Sequence, residues 1–200
     1  MPASQRLPVP SRYQTTRSQA LQLFAERGFS RVSMRELADY LGIRPGSLYH
    51  HIESKEALLF ELVEELYEEL LHGAQLIKRR LGSPAEHLHG MLEAHLRLHA
   101  SMGEHFRLAE YDGHCLGEEQ QARIGALRER YERLLADCVE RVTGQALGNS
   151  RRAALSGVVS LLNQLPAWVQ TPRLSPQAHL DLLGDMAMSA LQGALRAPLD

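Results

Sequence analysis

Cysteine is nearly missing from this chain of 200 residues: Cys115 and Cys138 are the only two, far apart and in no Cys-x-x-Cys pair. That excludes a disulfide framework and a cysteine-built zinc site, and the expectation is reduced thiols. Aromatics are few, with one tryptophan and four phenylalanines. Runs of β-branched residues are nearly absent while Leu, Ala, Arg and Glu dominate, which favours helix over sheet. No apolar stretch approaches the length that crosses a bilayer, and the opening "MPASQRLPVPSRYQ" has no apolar core of the signal-peptide kind. The expectation is an all-α, cytoplasmic protein with no membrane association. The sequence also lacks a Gly-x-Ser-x-Gly elbow, a His-Glu-x-x-His pair, a phosphate-cradling glycine loop and a dinucleotide fingerprint. No enzyme is expected from it, and no cofactor.

What is present is unevenly distributed. Up to Ile52 there are seven arginines against three acids, a net +4, which leaves −6 for the remainder. A basic head on an acidic body suggests that the head alone meets a polyanion. The pattern places a head over 1–54 and a body over 55–200.

Within the head, Ala20, Leu21, Phe24 and Ala25 form a helical stripe that Gly28 ends. Ser33 opens a second helix with Glu36 three residues on, the reciprocal capping-box spacing. Gly42 supplies a tight turn, and Pro45 suits the first position of a third helix running to about Ile52. So short a helix cannot hold itself together in water, so Leu48 and Ile52 must dock it on its neighbours. The plan is a helix-turn-helix, and it leaves Arg44, Ser47, Tyr49, His50 and His51 to face outward or flank. Such donors need no burial if phosphates and base edges receive them.

The stretch "ALQLFAERGFSRVSMRELADYLGIRPGSLYHHIESKEAL", residues 20–58, resembles the DNA-binding domain of the tetracycline-repressor (TetR) family. The likeness runs through Phe24, Gly28-Phe29, Ser33, Glu36-Leu37-Ala38, Gly42, Gly46-Ser47-Leu48-Tyr49, His51 and Lys55-Glu56. It departs at Arg44-Pro45, where the family has Ser-Lys, and at Ile52, where it has Phe. The resemblance implies that Ser33 caps its helix and gives its hydroxyl to a phosphate, that Tyr49 and His51 lie along the DNA backbone, and that Lys55 pairs with a phosphate. Arg44 either reads guanine with its planar fork or simply neutralises phosphate; His50 serves either purpose. Gly46 either lets the helix approach DNA closely or relieves packing against the first helix, and the second is the preferred reading. The partners implied are a palindromic double-stranded operator and a small-molecule effector whose binding releases a repressor dimer.

Beyond the head, a long helix from Lys55 to about Arg80 buries Leu58, Leu59, Leu62, Leu66 and Leu70, and is the expected lever between effector and DNA. Further helices are expected at about 84–102, 104–112, 117–143, 150–170 and 175–197. On the last two, Leu155, Val158, Val159, Leu162, Leu165, Leu183, Ala187, Met188 and Leu191 read as the seam of a homodimer, with intrachain core as the reading for some of them. Six of the ten histidines crowd residues 87–114. His95 and His99, one turn apart, suit a face of hydrogen-bonded imidazoles, a ligand contact or a metal. With Met91, Met102, Phe106, Tyr111 and Trp168 they make up an expected elongated apolar pocket, although Trp168 also suits the core. The stretch "LLNQLPAWVQ" faintly resembles acyl-thioester sensors of the same family. The alternative reading is a di-iron bundle, because Glu69-x-x-His72 and Glu86-x-x-His89 repeat its spacing.

Overall fold

The computed structural model describes residues 12–49, 52–170 and 173–196. Among these residues eight α-helices follow one another: α1 (Arg12–Arg27), α2 (Met34–Tyr40), α3 (Pro45–Leu48), α4 (Lys55–Lys78), α5 (Pro84–Tyr111), α6 (Glu118–Thr143), α7 (Asn149–Trp168) and α8 (Pro176–Arg196). Single 3-10 turns sit at Phe29–Arg31 and Gly113–Cys115. Among the described residues there is no strand, and no helix is long and apolar enough to cross a membrane.

Local chemistry sets the helix ends. The Gly28 N–H closes α1 on the Phe24 carbonyl at 2.8 Å, and Gly28 turns away with φ +85°, a conformation that costs other residues. Ser33 and Glu36 make both bonds of the capping box at α2, and Ser83 with Glu86 repeats it at α5. Gly42, at φ +66°, separates α2 from α3. Leu48 is fully buried and Ile52 nearly so. Burial of each is worth about 1.5–3 kcal/mol, and this burial seats a helix of four residues that could not form alone.

The central element is α5, which touches α1, α4, α6, α7 and α8. It is one helix where two were expected at 84–102 and 104–112. Gly103 does not break it; Met102 takes φ −124°, ψ 27° and kinks it instead. The C-terminal half of α5 is thereby set against α1 and α7.

The residues read as a dimer seam need correction. Leu155, Val158, Val159, Leu162, Leu165, Leu183, Ala187 and Leu191 are buried within one chain, and Met188 packs against the same core. The face that α7 and α8 leave outward carries Gly157 and Trp168, Leu182 and Met186.

Arg17 on α1 joins the head to the body. Its Nη2 donates to Glu65 of α4 at 2.7 Å and its Nε lies 3.5 Å from Glu61. The Tyr13 hydroxyl donates to Glu61, and His105 of α5 stands 3.8 Å from Glu65.

Candidate nucleic-acid interface and effector cavities

On the head, Arg44 is the N-cap of α3, and Arg44, Ser47 and Tyr49 are all exposed while Leu48 between them is not. This alternation sets a polar edge outward on a helix fixed from behind, the geometry a major groove admits. A Cβ added at Gly46 would meet nothing within 4 Å. The packing reading of Gly46 is therefore overturned, and open space remains on the side where a partner would approach. His50 and His51 lie outside the described residues.

Two polar side chains expected to meet phosphate are engaged internally. The Ser33 hydroxyl donates to Glu36 Oε2 at 2.7 Å and accepts from the Glu36 N–H, so capping occupies the proton that a phosphate would take. Hydrogen bonds from the Ser33 backbone and hydroxyl hold the Glu36 carboxyl below its ordinary pKa. The Lys55 ammonium donates to the carbonyls of Phe29 at 3.0 Å and Val32 at 2.9 Å. It also rests 4.1 Å from the centre of the Phe29 ring, which leaves one N–H for any phosphate.

In the body, the residues expected to share one pocket divide between two cavities. Met91 and His95 line an inner cavity of about 210 Å³ with Leu70 and Ala74 of α4, Leu98 of α5 and Tyr131 of α6, and it opens to the surface past the exposed Glu69 and His72. His99, Phe106 and Tyr111 line an outer cleft of about 550 Å³ with Asn163 and Gln164 of α7 and with Ala25 and Glu26 of α1. The outer cleft is not apolar: Glu26, Glu104 and Glu110 face it against a single cation, Arg107. Met102 packs at the kink and Trp168 is 63% exposed, and neither lines a described cavity. The lever expectation fits the inner cavity, since α4 contributes to it; the outer cleft reaches the head through α1 instead.

Several histidines form hydrogen-bonded contacts within the fold. His87 pairs with the Arg80 carbonyl at 3.0 Å, and His99 Nε2 donates to the Asn163 carbonyl at 3.1 Å. The His99 ring stacks on Phe106 with centroids 4.6 Å apart. His95 Nδ1 lies 2.9 Å from the Tyr131 hydroxyl. Burial pushes the His95 pKa down to about 3, and His99 adds to the fall. For His99 and His105 burial also lowers it. Glu69, His72, Glu86 and His89 are all exposed, and Glu86 is spent on its cap. The di-iron reading needs them inward, and no group of three metal-ligating side chains occurs among the described residues. Sequence reasoning missed Tyr131 and Asn163, which carry no motif and meet His95 only through the packing of α5, α6 and α7.

Residues 17–62 match the family described as "Bacterial regulatory proteins, tetR family". Residues 81–191, more than half of the chain, match "Tetracyclin repressor-like, C-terminal domain". Over 90 residues the chain is 38% identical to the transcriptional repressor KstR2 of Mycolicibacterium smegmatis, covering 43% of this chain and 44% of that one. Against KstR2 of Mycobacterium tuberculosis identity is 32% over 111 residues, covering 56% and 54%. The match thus spans about half the length of these curated relatives. The solved structure of the latter, a ketosteroid transcriptional regulator, aligns with a TM-score of 0.79 at 21% identity over 93% of this chain and 96% of that one. AibR, solved with isovaleryl coenzyme A and operator DNA, aligns at 0.73 and 20% identity over 88% and 97%. These two structural alignments share a fold with the chain, and the family matches cover its head and most of its body. The chain belongs to the tetracycline-repressor (TetR) family of bacterial regulatory proteins.

Proposed function

We propose that the protein is a cytoplasmic DNA-binding transcriptional regulator. It acts as a repressor that binds a palindromic operator as a homodimer and is released by a small apolar or acyl-containing effector. The observation that carries this reading is the α3 edge: Arg44, Ser47 and Tyr49 exposed around a buried Leu48. The repressor direction follows the named function of the KstR2 relatives, and the effector class follows AibR with its acyl thioester. Dimerisation is assigned to the outward face of α7 and α8, where Leu182 and Met186 stand one turn apart.

Selection of bound duplexes from a random pool, followed by sedimentation of the complex, tests the reading. The expected result is a palindrome whose half-sites lie about 34–36 Å apart, bound by two chains. A protein that stays monomeric at micromolar concentration with and without DNA, or that selects no sequence, overturns it.

A further inference from the structure

The end of the body farthest from the head carries a charge that the rest of the body does not share. Helix α4 starts against the head, where Lys55 meets the Phe29 and Val32 carbonyls. Its 24 residues run about 36 Å away from there. Helix α6 lies alongside in the same direction, joined to α4 by Arg123–Glu64 at 2.8 Å and by Lys78–Asp137 at 2.9 Å. The turns that follow α4 and α6 therefore share the far end. Segments 78–87 and 137–152 hold six basic residues against three acidic ones, a net +3. In a body whose total is −6, that leaves −9 elsewhere.

The three acids are all engaged. Asp137 takes Lys78, Glu140 takes Arg152 at 2.7 Å and the Leu147 N–H at 2.9 Å, and Glu86 closes its capping box with Ser83. Arg79, Arg80 and Arg141 are exposed and make no side-chain hydrogen bond or ion pair among the described residues. Arg151 has only Gln145 Oε1, at 3.3 Å. Helix dipoles do not account for this charge. Helices α4 and α6 end at this pole while α5 and α7 begin there, so terminal partial charges of about half a unit each cancel. Guanidinium forks with no carboxylate to hold suit phosphates. Those phosphates are not the operator's, because about 36 Å is several Debye lengths at physiological salt. Two heads that grip one duplex put both poles of a dimer on the side away from it.

We propose that this far pole, through Arg79, Arg80 and Arg141, holds the phosphate backbone of a second DNA segment, so that an operator-bound dimer joins two duplexes. The contact reads no sequence, since it meets phosphates and not base edges. Leu76, Leu81 and Val142 are exposed at the same end; an acidic amphipathic protein segment would cover them, and a duplex leaves them bare. DNA is favoured because the heads already hold the molecule where phosphate is locally concentrated. This goes beyond the regulator reading and takes from it only the operator-bound dimer.

Beads carrying the selected operator, loaded with the full chain and washed, are offered a fluorescent duplex of scrambled sequence. They should capture it at about 50 mM salt and release it by about 200 mM, because six arginine–phosphate contacts per dimer lose about a thousandfold in affinity over that range. Arg79→Gln, Arg80→Gln and Arg141→Gln together should lower capture at least about tenfold and leave operator affinity within about twofold. These side chains are exposed and unpaired, so the melt of the triple variant should match wild type; should it not fold, the wild-type salt series alone decides. Leu81→Ser should change nothing. No capture by wild-type protein at about 50 mM salt overturns the proposal, as does capture that survives the triple variant. Capture abolished by Leu81→Ser overturns it too, since the pole then takes protein and not DNA. A protein that selects a palindrome and captures nothing loses the pole alone. If no operator is selected, the regulator reading falls, and the same comparison on beads with an arbitrary duplex still decides the pole.

Discussion

The Lys55 ammonium binds the Phe29 and Val32 carbonyls, so it holds the loop that sets α2 before it can touch DNA. Lys55→Ala should cost about 1–3 kcal/mol of folding stability through lost charge-assisted hydrogen bonds. Arg44 is exposed and makes no side-chain cap bond. Arg44→Ala should leave the melt unchanged, cost about 1–3 kcal/mol of binding per half-site and relax the preference at one base pair. Urea melts, and anisotropy against single-base operator variants, separate the two; a uniform loss for Arg44→Ala would make it a phosphate contact. This inward use of Lys55 was not legible in sequence, because it depends on where two carbonyls of another segment come to lie. The Ser33–Glu36 cap was legible because both partners lie within one turn. A second residue-scale expectation concerns pH. His95 titrates at about 3 in the folded chain and near 6.5 unfolded. Between those values the unfolded chain binds more protons, so stability falls as pH drops below about 6.5. His99 and His105, lowered by burial, act in the same direction. Unfolding free energies from urea melts between about pH 7.5 and 5 should decline, by at most about 1.4 kcal/mol per pH unit for each histidine, and His95→Gln should flatten the slope.

Between elements, coupling is carried by Arg17 of α1 and by Glu61 and Glu65 of α4. If these contacts hold the head in the orientation that fits DNA, breaking them lowers the competent fraction and the apparent affinity with it. Arg17→Ala should weaken operator binding, but so would loss of any cation near a polyanion. Glu65→Ala supplies the sign test. Simple electrostatics says that removing an acid strengthens DNA binding, whereas loss of the lock weakens it. Anisotropy at two salt concentrations decides, and tighter binding by Glu65→Ala would remove the lock from the account. The helices themselves were legible from periodicity and caps, with the bend at Met102 the main difference, since Gly103 marked the place but not the outcome. The cavities were not legible: His95 and Asn163 lie 68 positions apart, and helical spacing names a face without naming what it meets. The same limit put Leu155 and Leu162 in a dimer seam when both are buried within one chain.

For the whole molecule, the charge split and the outward face of α7 and α8 make one expectation. A dimer that presents two basic heads to one duplex gains affinity from both, so monomers should bind far more weakly. Met186→Glu places a charge on the outward face without disturbing the core. It should halve the sedimenting mass and lower operator affinity by at least about tenfold, with the helical circular dichroism signal unchanged. A dimer that survives Met186→Glu and Leu182→Glu together would place the interface elsewhere. The outer cleft has a consequence of another kind. Because Ala25 and Glu26 of α1 form part of its wall, a tilt of the head that moves α1 should also change the width of the cleft. The cleft would then report the posture of the head. The chain's one tryptophan, Trp168, sits in sequence beside cleft-lining Ala167 and two positions before Gln170. Its emission maximum should move when operator DNA is added, with no dye attached, and stay still with a duplex that the heads do not grip.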